Sequence, residues 1–348
     1  MDTAIRSLLH FLVDGTCVCS LYLVADSYGM ERLLGVFLAY NVMAFLTQPL
    51  TGYVADRTTD GSRMLFTAVG LLCGGSFIVA IATAFGVRAE WTEGLVFLAA
   101  IILGAGNSLF HVWGGKATAV ESDNDIRQLG VFVATGAMGL AVGVVFASWI
   151  LLVALIVGLA MLAVSVSTGA TEATGPTGTT EATEITEATE TTELTGTAEA
   201  TGTAEATGKA IVLPLPSLWV VGAMLLIIVV VMLRSLIGQT FISGGLKSLT
   251  LLVGLTAMLG KMAGGWMSHY MGLVPAIIVM VLAVVICLAW PGNSVVMMLS
   301  GLFAVNCTMP VTLYLANVLM PGKEGLAFGL LAAALMPGYL LATMNNLQ

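Results

Sequence analysis

Gln48-Pro49-Leu50-Thr51-Gly52-Tyr53-Val54-Ala55-Asp56-Arg57 closes one apolar run, 34–53, and opens a short charged loop that ends at Arg63, just before the next apolar run, 64–86. A run of roughly 20 residues, at about 1.5 Å rise each, crosses the hydrocarbon of a bilayer as a single helix. Gly52 at the helix end lets a neighbouring helix approach closely. Asp56 and Arg57 follow it at the membrane surface, where a salt-bridge latch can form. The competing reading is a solvated loop whose basic residues only set topology.

Outward from this stretch the same alternation continues. Of 348 residues, 58% are hydrophobic and 9% charged, with a mean hydropathy of +1.00. Soluble domains are about a quarter charged, so a soluble globular fold is excluded. Apolar runs predict helices at 4–25, 64–86, 95–117, 128–147 and 149–167, then at 217–241, 247–266, 272–290, 294–319 and 325–345. With 34–53 these make six spans, a gap and five spans, an all-α integral membrane protein. Met1 to Leu23 has no small-residue cleavage site followed by soluble sequence, and is expected to be the first span rather than a removable signal. The gap is low-complexity Thr, Ala, Glu and Gly, with GTAEAT twice in succession from Gly196 and Gly202. It offers little apolar surface to bury, which predicts a disordered linker over 168–216 joining a six-helix bundle at 1–167 to a second bundle at 217–348.

The formal charge of −8 belongs to that gap. Glu172, Glu181, Glu184, Glu187, Glu190, Glu193, Glu199 and Glu205 lie in it, and without these eight the remaining twelve acids balance the twelve basic residues of the chain. The charge therefore gives no ground for a nucleic-acid partner; the lipid bilayer is the partner that composition establishes. With a cytoplasmic N-terminus, Arg6, Arg57, Arg63, Lys116, Arg127, Lys209, Lys261 and Lys323 fall at or near the inner face, and Arg32, Arg88 and Lys247 at the outer one. This satisfies the positive-inside rule for a multi-pass protein of the cell (inner) membrane with its linker in the cytoplasm. Cys17, Cys19, Cys73, Cys287 and Cys307 all sit in apolar runs without CxxC spacing and read as small core residues.

Polar residues inside the spans are the candidate site. His10 and Asp14 share a helix face, and Asp14 lies about 15 Å into its span, near the bilayer midplane. A charge at that depth costs at least roughly 2.5 kcal/mol unless it faces protein or water. Asp14 is expected to carry a proton with His10 tuning it; the alternative is a structural pair that locks helices together. Asn107 can hydrogen-bond a substrate or a neighbouring helix, and His111 can titrate or serve as a satisfied structural group. Asn41, Arg234, Gln239 and Asn306 complete the set. Arg234 is expected in the outer third of its span, either snorkelling or recognising an anion.

The loop from Gly52 to Arg57 strongly resembles the signature of the major facilitator superfamily, Gly-x-x-x-Asp-Arg followed by basic residues. That family has a further glycine and a basic pair where Thr59, Asp60, Gly61 and a single Arg63 stand here, so the resemblance implies a gate at Gly52, Asp56, Arg57 and Arg63 with a weaker latch. Gly265 to Tyr270 aligns with Gly52 to Arg57 at an offset of 213, as duplicated halves should, with His269-Tyr270 in place of Asp-Arg. His10-Phe11-x-x-Asp14, the Gln48 to Arg57 loop and Gly104-x-Gly106-Asn107-x-x-Phe110-His111 together look like the fosmidomycin-resistance branch, although Val112-Trp113 replaces its usual Pro-Glu. Gly130, Gly139 and Gly143 have spacings similar to those of proton-coupled antiporters, with Val144 in place of proline; plain helix packing is the other reading. The superfamily ordinarily has twelve spans and eleven are expected here, so either the chain is a truncated product or its second bundle lacks the last span.

The sequence holds no HExxH, no GxSxG, no P-loop and no paired CxxC, so hydrolytic, redox or ATP-driven chemistry has no support, and no cofactor or metal is expected. The resemblance and the buried ionisable residues together imply a secondary transporter that exports a small organic molecule against protons by alternating access; it is expected to be a monomer. Proton-coupled uptake uses the same parts, and a non-transporting receptor or scaffold is the rival from another class.

Overall fold

The computed structural model describes residues 2–58, 60–85, 90–172, 218–242, 246, 248–291 and 294–345. Among them, thirteen α-helices form eleven passages: α1 Thr3–Tyr28, α2 Met30–Asn41 with α3 Gln48–Ala55, α4 Gly61–Phe85, α5 Glu90–Glu121, α6 Ile126–Val145, α7 Trp149–Glu172, α8 Leu218–Phe241, α9 Thr250–Met271, α10 Leu273–Ala289, α11 Val295–Leu319, and α12 Glu324–Ala333 with α13 Met336–Asn345. Each expected span has its helix. Nine described passages are long and apolar enough to cross a membrane; α10 is shorter, at 17 residues, and α9 is more polar. The faces that meet no protein are apolar, as on α7 and α8, where Ile150 is 85% and Leu218 90% exposed. Outward apolar surface of this extent fits lipid and not water. The protein is a multi-pass all-α membrane protein.

Local chemistry sets the ends and the breaks. Asp2 caps α1 by accepting from Ala4 N, and Asp125 caps α6 by accepting from Arg127 N at 2.9 Å. Gly29 and Gly272, at φ 86° and 82°, let the chain turn directly into the next helix. Passages two and eleven are broken midway. In passage two, Pro49 lacks the N–H that would continue the ladder, and the turn before it, Val42–Leu46, widens to a π-helix. In passage eleven the break falls at Ala334–Leu335, just before Pro337. The two broken helices face each other, with Phe45 stacked on Tyr339 at a ring separation of 4.6 Å.

Several expectations change. Helix α7 runs to Glu172, five residues into the expected linker, because nothing at Thr168 interrupts its local hydrogen bonding; residues 173–217 lie outside the described set. Arg88, Lys209 and Lys247 do too. Lys261 is not at the membrane face: α9 starts and ends later than the predicted span, which puts Lys261 at its middle. Helix α5 extends beyond both ends of the predicted 95–117, which places His111 well inside its 32 residues.

Candidate functional site: a polar cavity between two helical bundles

Helices α1 and α5 each present two polar residues one turn apart, and these four meet. His10 Nε2 lies 2.9 Å from His111 Nε2 and 3.3 Å from Asp14 Oδ2. His111 Nε2 lies 3.5 Å from Asp14 Oδ1, which also accepts from Asn107 Nδ2 at 3.1 Å. The other nitrogens fix the tautomers: His10 Nδ1 faces Phe132 O at 2.7 Å and His111 Nδ1 faces Asn107 O at 2.9 Å. A carbonyl oxygen only accepts, so both Nδ1 atoms carry hydrogen. Two neutral rings would then point Nε2 lone pairs at each other beside a carboxylate. One added proton on either ring relieves this by bridging the nitrogens and balancing Asp14. The trio is also the cluster among the described residues whose donor atoms, all within 4.8 Å, could close around a cation. At 2.9 Å the nitrogen pair also stands at hydrogen-bond length, which a single proton would bridge.

Glycines on α6 admit this cluster. A Cβ at Gly136 would meet Asp14 Oδ2 and His10 Nε2, so the absent side chain is the space that the pair occupies. Gly139 and Gly143 pack on the backbone of α1 at Phe11 and Gly15, while Gly130 packs on α9 at Lys261 and Gly265. The α6 glycines therefore join one bundle internally and also bring the two bundles together.

A cavity of about 370 Å³ opens over the cluster, and all eight polar residues singled out from the sequence line it, from His10 and Asn41 to Gln239 and Asn306. Asn41 and Asn306 are satisfied within their own helices by Phe37 O and Leu302 O. Arg234 does not snorkel: it is 9% exposed, lines the cavity and donates to Thr312 Oγ1 at 3.2 Å. Lys261 and Tyr339 line the cavity as well and were missed as site residues. A lysine inside an apolar run was the readable signal for the first.

The cavity has a floor. Of α3 no residue beyond Gln48 lines it, and of α12 none before Phe328, because below these points α3 and α12 are in contact. A Cβ at Gly52 would strike the backbone of Gly325 and Leu326, and one at Gly329 the backbone of Gln48. Asp56 Oδ1 and Oδ2 accept from Gly325 N at 2.8 Å and Leu326 N at 2.9 Å, capping α12 across the bundle boundary. Lys116 Nζ stands 3.9 Å from Asp56 and donates to Ala55 O at 2.6 Å. The expected salt-bridge latch is thus a carboxylate on a helix N-terminus, where the dipole and free N–H groups favour an anion. Arg57 plays no part in it: its guanidinium folds back over the Tyr53 ring at 3.4 Å. Arg63 pairs locally with Asp60 at 2.8 Å, and both are exposed.

Three further groups close the same end. Asn317 donates to Asn124 Oδ1 at 2.9 Å, Asn124 donates to Tyr314 O, and Arg127 lies over the Trp266 ring at 5.7 Å, held there by Asp125 at 2.6 Å. Gly265, the counterpart of Gly52 in the duplicated pattern, packs on Ile126 and Arg127, so both copies of that glycine sit at a crossing between bundles.

No protein-family model and no curated protein sequence matches the chain. Solved structures do. A crystal structure of a bacterial homologue of the iron transporter ferroportin, in an outward-facing state, is similar with a TM-score of 0.59 and 13% identity, over 99% of this chain and 91% of that one. The E. coli fucose:proton symporter is similar with a TM-score of 0.61 and 12% identity, over 98% and 90%. A second structure of that symporter, described as a major facilitator superfamily transporter in the outward conformation, gives 0.63 and 11% over the same shares. At such identity the likeness speaks for fold alone, and that fold is the major facilitator one: two helical bundles, six passages and five among the described residues, around a central cavity.

Proposed function

We propose that the protein is a secondary active transporter that exports a small organic molecule in exchange for protons. The observation that carries this reading is the His10–Asp14–His111 cluster, buried at mid-membrane depth yet lining the central cavity. An ionisable group at that depth is retained for function or for pairing. An added proton would bridge the two facing rings, which supports reading the cluster as a place where one is loaded and released. Protonation from outside and release to the inside, with substrate favoured by the deprotonated inward state, gives the differential affinity that exchange requires. Asp56 on α12 is the contact that breaks when the bundles rock to open the cytoplasmic side.

The test is growth of an efflux-deficient bacterial host on a panel of antibiotics, antimetabolites and organic acids, with this chain or its Asp14→Asn form at matched membrane levels. Protection that needs Asp14 is expected. Sensitisation that needs Asp14 would replace export with proton-coupled uptake, and growth equal to empty vector across the panel would overturn transport in favour of a receptor or scaffold.

A further inference from the structure

We propose that the transported molecule is a small amphiphilic organic anion, with its charged group held between Arg234 and Lys261. The assignment rests on the transporter reading above and adds its substrate class.

The first observation is an imbalance of charge. Among the described residues lining the cavity, the second bundle supplies two basic side chains, Arg234 and Lys261, while the carboxylate is Asp14 of the first bundle. That carboxylate is already engaged by Asn107 and both histidines. Arg234 is nine-tenths buried, and of its five donors the described residues give a partner to one, the hydroxyl of Thr312. Lys261 forms no hydrogen bond or ion pair among the described residues, and feels the charges of Arg234 and Asp14. Two basic side chains that line one low-dielectric cavity repel when charged, and neither has a counter-charge in ion-pair contact among the described residues. An anion supplies it, and a guanidinium fork with free donors suits a carboxylate.

The second observation is the rest of the wall. Phe37, Phe45, Phe328, Leu302 and Val253 line the same cavity, so an apolar body attached to the anion would be buried while its head group met the cations. A cavity of about 370 Å³ holds a molecule the size of a substituted aromatic acid, not an oligomer. Because both cations lie on the second bundle and the proton cluster on the first, substrate and proton are held by different bundles across one cavity.

The experiment is equilibrium binding to the purified full-length chain, by isothermal titration calorimetry in phosphatidylcholine nanodiscs without any gradient. Three probes of matched shape are used: phenylacetate, neutral 2-phenylacetamide and cationic 2-phenylethylammonium. Phenylacetate is expected to bind at least tenfold more tightly than either of the others. Arg234→Gln and Lys261→Gln should each remove that preference, whereas Arg234→Lys should restore part of it. Equal binding of the three probes, absence of phenylacetate binding, or an unchanged preference in Arg234→Gln would overturn the proposal. The charge comparison on the unmodified chain stands if a variant fails to fold. Adding phosphatidylglycerol to the nanodiscs should leave phenylacetate binding unchanged; displacement would assign the cations to a lipid head group and overturn the proposal. Asp14→Asn is expected to keep anion selectivity, so loss of proton coupling and loss of the anion site are read separately.

Discussion

His10 and His111 face each other through Nε2 atoms 2.9 Å apart, and each has its Nδ1 hydrogen committed to a backbone carbonyl. Neither ring can relieve the contact by switching tautomer without breaking a buried hydrogen bond to Phe132 O or Asn107 O. In the proton-coupled reading, the pair and Asp14 therefore act as one hydrogen-bonded unit rather than as three independent groups.

Groups that act as a unit give non-additive losses when removed. His111→Gln should lower protection of the efflux-deficient host about as far as Asp14→Asn does, and the double variant should be no worse than either single one. The reading is dose-response at matched expression. A double variant whose loss equals the product of the two single losses would mean that the groups act separately.

Gly52 should be intolerant of the smallest side chain. A Cβ there would fall 2.5 Å from the carbonyl carbon of Gly325, which is backbone and cannot rotate away. In Gly52→Ala, α3 and α12 must part, and Asp56 loses its reach to Gly325 N and Leu326 N. Hydrogen bonds to a charged group are worth about 1.5–3 kcal/mol, enough to shift the closed population by tenfold or more. Spin labels at exposed Arg57 and Lys323 should report longer, broader distances in Gly52→Ala than in the parent. Gly70→Ala is the control: nothing lies within 4 Å of its added Cβ, and the helix gains propensity. Unchanged distances in Gly52→Ala would remove this crossing from the gate.

The fold was readable because a bilayer imposes a length on every span. Runs at 64–86 and 294–319 could hardly be anything but helices, and Gly61–Phe85 and Val295–Leu319 fall within a few residues of them. The polar set was readable because a charge inside an apolar run has to face protein or cavity, which brought Asp14, Asn107 and Arg234 forward. Lys261 escaped because a five-residue error in a helix end turns a cavity residue into a surface one. Gly136 escaped for a different reason: its importance lies in what it lacks, and only the neighbouring positions of Asp14 Oδ2 and His10 Nε2 reveal it. Asp56 has the cation its charge suggests, Lys116 at 3.9 Å, but its contacts across the bundle boundary are backbone N–H groups that no residue letter displays. Asn124, at φ 57° in the α5–α6 turn, is likewise a cross-bundle contact that only the tertiary arrangement defines.

Asp125, in the turn before α6, gives the closed end a dependence on pH. Hydrogen bonds from the Arg127 side chain hold its carboxyl below the ordinary value of 3.8, with the nearby imidazole of His269 acting in the same direction. A carboxylate whose folded-state pKa is depressed contributes stability that is fully present above its unfolded pKa and is lost as pH falls through the folded one. The stabilisation from Asp125 should therefore be constant from neutrality to about pH 5 and be lost progressively below 3.8, as the pH falls through the depressed folded-state value. Removing the cap in Asp125→Ala is expected to cost about 1 kcal/mol and to free Arg127 from its place over Trp266. The check is thermal unfolding of the detergent-solubilised chain beside Asp125→Ala, read by intrinsic tryptophan fluorescence from pH 7 down to pH 3. The parent should be the more stable at pH 7, and the two curves should converge at the acid end. A gap that does not begin to narrow as the pH falls below 3.8 would show that Asp125 acts through its shape as a cap rather than through its charge on Arg127.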